Sequence, residues 1–572
     1  MIHKSKLLAT SLLWIFAACF AMKAQSPSPT PRIPDEASMG NIDGKVVNEN
    51  GQVLPGAAVV VRAVNSMSTG RTTISDVEGH FSVNGLERAL YMVSAQSPAY
   101  TTPPSADPNN PTYYRIGDSI RVELVRGGAI TGTVTNASGE PVIAVRVRAI
   151  LIKDARGQPS QSPGYGTEQP TDDRGIYRIF GLAPGTYIVS AGGSGFAPSF
   201  SPFDIDIPTF APSATRDNAA EISVRSGEDV NVDIRYRGEQ GHGISGTVKL
   251  SGNGSANLTL MPANSSIPIA SSYQFPGIQG FSFNGLLDGD YDLVAQEVVA
   301  GPQTTVPVFL ASEPKRVTIK GADVTGIELV PKPLASISGR VALEPSKVPA
   351  CAGKHPPLLS ETIVQLRRPE KDPDKQDSIA LRTFGGSASP EPNGTFTFRN
   401  VRPGRYQFEP RFYARYWYLQ SINSASSGPK AQKVDMAANW TTIKTGDQLS
   451  NLTITLAGGA ASIRGRMPIA EGAAPPAAVY LIPSEPDKSD DVLRFFVSDF
   501  AVDGTFAFNN LPPGKYFALP QVTPDAQTGT LIKLRQPEAA TARAKLRRAA
   551  ETKKIEIELT PCQNLTDYQL KQ

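Results

Sequence analysis

"DGTFAFNNLPPGKY", residues 503–516, decides the fold, because the 572-residue chain repeats it in variant form. It reads "GHFSVNGLERALY" at 79–91, "GIYRIFGLAPGTY" at 175–187, "GFSFNGLLDGDY" at 280–291 and "GTFTFRNVRPGRY" at 394–406. From the loop glycine to the tyrosine the count is constant in four copies: Gly79 to Tyr91, Gly175 to Tyr187, Gly394 to Tyr406 and Gly504 to Tyr516. The remaining copy fits if Gln279 takes the glycine place before Tyr291. The physics of the phrase is that of a hairpin. Asp-x-Gly or Asn-Gly turns the chain, and alternating Phe or Tyr points one face of a strand into a core. A second turn at Pro-Gly uses a glycine at positive φ, and the tyrosine opens the return strand with its ring buried and its hydroxyl seeking a partner.

A second phrase, apolar-x-Gly-x-apolar, precedes each copy: Ile42–Val46, Ile130–Val134, Ile244–Val248, Ile337–Val341 and Ile463–Met467. Alternation makes each a strand, and its glycine marks a bulge or a close backbone approach. Alternating closing strands are expected at Ile120, Val230, Val324, Leu452 and Ile555. The spacing suits antiparallel sandwiches of about 100 residues. The expected architecture is therefore all-β: about five tandem seven-stranded Greek-key sandwiches, at 41–126, 127–238, 239–332, 333–458 and 459–572. "RQPEAATARAKLRRAAETKK", 535–554, is expected to be a helix inserted in the last sandwich, basic through Arg543, Lys545, Arg547 and Arg548.

"GKVVNENGQVLPGAAVVVRA" with "SDVEGHFSVNGL", and "GTVTNASGEPVIAVRVRA" with "TDDRGIYRIFGLAPGTYIVSA", resemble the carboxypeptidase regulatory-like domain, a transthyretin-like or starch-binding-like β-sandwich. The resemblance is strongest in the first two units and weakest in the third. It implies an exported bacterial repeat protein carrying an accessory fold without peptidase chemistry. In related Cna-B-type modules a Lys–Asn bond joins first and last strands. Lys45 and Lys249 lie in or near opening strands, but "IRVELV" and "VTGIELV" offer no Asn.

The first residues read as a targeting segment. Lys4 and Lys6 precede an apolar run from Leu7 to Ala21, with a cleavage site before Gln25. The run is short for a membrane-spanning helix, so a signal peptide at 1–24 and a Pro/Ser linker at 25–40 are expected. A rival reading takes Phe16–Cys19 as a lipobox and leaves a lipidated Cys19. The expected location is extracellular, periplasmic or outer-membrane associated. The chain carries a formal charge of +3, which three leader lysines account for, so the remainder is neutral. A neutral chain lacks the cationic excess that nucleic acid demands, which excludes it as a principal partner.

Of four histidines, His3 leaves with the leader, and no HExxH or GxSxG pattern accompanies His80, His242 or His355. No catalytic residue and no cofactor are expected. Asp288 and Asp290 form a candidate metal loop, although two carboxylates supply fewer oxygens than Ca²⁺ needs. Cys351 and Cys562 remain after the leader, and two outcomes stay open. A straight array holds them a domain apart, whereas a disulfide requires the fifth unit to fold back on the fourth.

"RFYARYWYLQSIN", 411–423, is the densest aromatic stretch. Read as one strand, it puts Tyr413, Arg415 and Trp417 on one face. With Trp440 they would make a platform on which sugar rings stack; the alternative buries both faces. The reading is a non-enzymatic exported binding or scaffold protein, with polysaccharide and other cell-envelope proteins as candidate partners. The second reading is a purely structural stalk or assembly partner without a glycan site.

Overall fold

The computed structural model describes residues 39–64, 70–103, 111–160, 168–194, 201–252, 254–263, 265, 268–299, 308–369, 386–425, 433–468, 476–521 and 528–570. The leader, Cys19 and nearly all of the Pro/Ser linker lie outside them. Paired sheets follow one another as five sandwiches, with strands running over 40–126, 128–235, 242–333, 335–458 and 461–569. The first and fifth carry seven strands each among the described residues; the middle three carry nine.

One sheet of each sandwich is built around the apolar-x-Gly-x-apolar strand. That strand pairs antiparallel with the hairpin strand and, apart from that, parallel with a late strand. Its glycine always faces an aromatic: Gly44–Phe81, Gly132–Tyr177, Gly246–Phe281, Gly339–Phe396 and Gly465–Phe506. On the parallel side the neighbouring backbone comes so close that a Cβ would lie 1.9 Å from the Val232 carbonyl oxygen at Gly132, and 1.9 Å from that of Ile327 at Gly246. The pairing register slips beside the glycine in the last three sandwiches, as expected of a bulge.

The other sheet is built on the return strand that the tyrosine opens. Each of the five hydroxyls donates to the carbonyl four residues earlier. The pairs are Tyr91 to Glu87 at 2.8 Å, Tyr187 to Ala183 at 2.7 Å, Tyr291 to Leu287 at 2.8 Å, Tyr406 to Arg402 at 2.9 Å and Tyr516 to Pro512 at 2.8 Å. This is the tyrosine corner of Greek-key sandwiches, here closing the turn into the return strand. The first turn is held by acids: the Asp76 and Asp172 carboxylates each accept two backbone N–H groups.

Two expectations need correction. The parallel closing strand of the fifth sandwich is Asn564–Gln569, not the alternating run at Ile555. Glu556–Leu559 instead pairs with Gly514–Gln521 in the opposite sheet. The helix spans Ala540–Lys553, starting after a turn that begins at Pro537. It buries Ala542, Leu546 and Ala550, the last two in one cluster with Tyr480 and Leu519. Its basic residues are partly engaged, since Arg543 donates to the Leu534 and Gln536 carbonyls and Arg547 to that of Pro483.

The sandwiches close a circuit. Ser226 donates to Glu49 between the first and second, Ser194 and Asn284 bond between the second and third, and Phe309 N–H donates to Asn400 between the third and fourth. The fourth then meets the first: Gln365 donates to the Tyr113 hydroxyl at 2.8 Å, Leu90 and Tyr113 pack on Ile363, and Arg88 and Arg115 flank buried Glu361.

Replacing Gly246 by Ala forces a Cβ onto a backbone oxygen, and the expected cost is about 3 kcal/mol or more. Gly280→Ala, where nothing stands within 4 Å, is expected to change stability by less than about 0.5 kcal/mol. Hydrogen exchange across His242–Val248 reads the difference, and equal protection in the two variants would refute the close-approach role.

Candidate functional site

The aromatic stretch at 411–423 does not form one strand. The strand Gly404–Phe412 ends in one sheet, the chain turns through Tyr413–Tyr416, and Trp417–Ala425 begins in the other sheet. Tyr416 sits at φ +65°, and its carbonyl accepts the N–H groups of Gly459 and Ala460. The turn breaks the alternation, so the expected platform does not assemble. Trp417 is 3% exposed, lies in the core of the fourth sandwich and donates from Nε1 to the His355 carbonyl at 3.0 Å. Tyr413 turns toward the first sandwich, with its hydroxyl 3.3 Å from the Tyr113 carbonyl and Arg115 over its ring at 4.6 Å. Arg415 stands exposed in the turn. Trp440 donates to Glu538 of the fifth sandwich at 2.8 Å, with Arg405 against its ring. Tyr413 and Trp440 thus fasten the fourth sandwich to the first and the fifth.

Cys351 and Cys562 are joined, with Cα atoms 5.4 Å apart. The fifth sandwich folds back as the bond requires, and Asn510 donates to the Ala414 carbonyl beside the same turn. Asp288 and Asp290 are tied to the paired strand Lys315–Ile319 and the turn after it: Asp288 accepts the Gly321 N–H at 2.8 Å, and Asp290 the Thr318 hydroxyl at 2.5 Å. Among the described residues no three His, Cys, Asp or Glu side chains gather as a metal site.

A concave site lies elsewhere, at the junction of the second and third sandwiches. It is a cavity of about 830 Å³, with apolar walls of Ile150, Ile207 and Phe210 on one side and Ile269, Leu286 and Leu287 on the other. Its volume falls in the range of small-ligand sites, which favour domain junctions. The floor is ionic. On the strand Arg146–Asp154, Val147 and Ala149 face the core of the second sandwich, so Arg146 and Arg148 face away from it. On a free sandwich that face would meet water; here both arginines are buried under the third sandwich and the segment around Pro202–Ile205.

Glu168 bridges the two guanidinium groups, 3.2 Å from Arg146 Nε and 2.9 Å from Arg148 Nε, and Asp204 pairs with Arg146. Arg148 Nη2 also donates to the Gly193 carbonyl at 2.9 Å. Burial pushes the Arg148 guanidinium down from its ordinary value, and Glu168 pulls it back. Beside this floor Tyr236 donates to Asp206 at 2.7 Å, and burial together with that bond pushes the phenol up. The sequence carries one sign of the site, the alternation "VRVRA" with two arginines on one strand face, but nothing in it says what covers them.

With the geometry in place, comparison identifies the first units. Residues 41–112 and 129–237 match the family profile of the carboxypeptidase regulatory-like domain. The first two sandwiches are thus similar to carboxypeptidase regulatory-like domains. No curated protein matches the chain. Among solved structures, the Bacillus anthracis TIE protein is similar at 16% identity, over 52% of this chain and 51% of that one, with a TM-score of 0.14. The shaft pilin spaA from Lactobacillus rhamnosus GG is similar at 10% identity, over 35% of this chain and 98% of the pilin, with a TM-score of 0.17. The Bacillus cereus major pilin subunit BcpA is similar at 10% identity, over 58% of this chain and all of that one, with a TM-score of 0.14.

Trp417→Ala is expected to remove about 3–5 kcal/mol from the fourth sandwich, as truncation of a buried aromatic does. Arg415→Ala is expected to change stability by no more than about 0.5 kcal/mol. Thermal unfolding of the two variants tests the assignment; a Trp417→Ala protein as stable as the wild type would return Trp417 to the surface.

Proposed function

We propose that the chain is an exported, non-catalytic binding and scaffold protein of the cell envelope or extracellular space. The Cys351–Cys562 disulfide carries this reading, because such bonds persist in oxidising compartments and are rare in the reducing cytosol. The contact between the fourth and first sandwiches supports a body that holds a fixed shape. No helix among the described residues is long and apolar enough to cross a membrane. Polysaccharide and other envelope proteins are the partner classes to screen.

A second reading, a structural assembly partner, is favoured by one edge strand. Ala270–Gln274 ends its sheet, and nearby Tyr273, Phe275 and Ile278 are at least half exposed. An open edge of this kind accepts a strand from another chain.

Two measurements test the proposal. A reporter active only after export, fused behind Gln25, is expected to be active, and an inactive fusion would count against export. For the arrangement, modules of about 13 Å radius of gyration closed in a circuit imply about 30 Å overall, against about 50 Å for five in line. Small-angle scattering near the larger value would replace the closed scaffold by a stalk.

A further inference from the structure

The cavity between the second and third sandwiches has one cation that the fold leaves without a hydrogen-bonded partner. Arg216 lines it from the turn Arg216–Asn218 and is partly buried. Its guanidinium forms no hydrogen bond or salt bridge with a described residue; its electrostatic neighbour is the carboxylate of Asp217, while burial acts against its charge. Arg148 is paired with Glu168, and the exposed carboxylates of Asp288 and Asp290 accept hydrogen bonds from the Gly321 N–H and the Thr318 hydroxyl. Exposed carboxylates such as Asp217 are satisfied by water, whereas a half-buried cation beside an apolar wall gains from an anionic partner.

We propose that this cavity binds a single anionic amphiphile, an apolar chain bearing one carboxylate or phosphate group, with the anion on Arg216. The apolar body lies between Ile150, Ile207 and Phe210 of the second sandwich and Ile269, Leu286 and Leu287 of the third. Those walls offer the ligand area for dispersion and burial, and Arg216 fixes which end enters. The buried ionic floor beneath Arg148 keeps the walls apart, because its charges hold one another in place and do not collapse into the space. A bilayer surface does not fit a recess between two sandwiches; one extracted molecule does. The site goes beyond the scaffold role and stands or falls separately from export.

The test is titration calorimetry and native mass spectrometry on the full mature chain. Laurate and lysophosphatidylglycerol are the anionic probes, a free fatty acid and a lipid, and dodecyltrimethylammonium is the matched cation, all below their micelle concentrations. One equivalent of an anion is expected to bind. Arg216→Gln is expected to weaken binding about tenfold, the scale of one charge-assisted hydrogen bond. Asp217→Asn, which removes an exposed acid beside Arg216, is expected to tighten it about threefold. Arg174→Gln, on an exposed turn elsewhere, is expected to leave it unchanged. Preference for laurate or for the lysolipid tells which source supplies the anion. Equal binding of the ammonium probe, no binding of either anion, or an Asp217→Asn protein that binds no tighter would each overturn the proposal. The last readout stands even if Arg216→Gln fails to fold.

Discussion

A glycine under an aromatic ring and a tyrosine hydroxyl on a carbonyl four residues back constrain everything else in this chain. The glycine lets the last strand of a sandwich lie against the first, where any side chain would strike the partner's carbonyl. The aromatic opposite then covers the space that the missing side chain leaves. The tyrosine fixes where the hairpin ends and the second sheet begins, since its hydroxyl satisfies a carbonyl that the turn would otherwise bury unpaired. Together they determine which strand edges meet and which faces close over the core. Loops between these points tolerate large insertions because closing a longer loop adds little entropy cost.

That is why the fold was legible in the sequence. Turn residues, alternation and the Gly-to-Tyr count are local, and each has one physical meaning. The errors arose where a local pattern had two meanings. "IEIELT" alternates as a closing strand should, yet it pairs with the return strand in the other sheet, the place held by Ile222–Val224, Lys315–Ile319 and Thr441–Ile443 in the three sandwiches before it, and the closing strand follows at Asn564–Gln569. "RFYARYWYLQSIN" alternates as a strand, but Tyr416 adopts a left-handed turn and hands the chain across the sandwich. Periodicity cannot register such a turn, because a one-residue break reverses every later side chain.

The candidate site was illegible for a different reason. Arg146 and Arg148 occupy strand positions that any single sandwich would expose, and their burial depends on a neighbour more than a hundred residues away in sequence. Cys351 and Cys562 present the same difficulty on a larger scale, since their pairing depends on how the fifth sandwich lies on the fourth. Sequence patterns of this kind specify modules; contacts between modules rest on single residues such as Ser194, Asn284, Tyr113 and Gln365 that carry no periodic signature.

Those single contacts are strong where charge is buried. Two arginines, one glutamate and one aspartate at the junction of the second and third sandwiches would be costly to bury singly, because each would leave an uncompensated charge in a poorly polarisable medium. Buried together, they are paired in charge, and the Gly193 carbonyl takes up a further donor. A junction set by ions keeps its walls at a fixed separation, whereas an apolar junction would pack until no space remained. The same choice of residues that makes the junction specific therefore also leaves it hollow, and a hollow, apolar-walled junction with one unpaired cation is a place for a ligand.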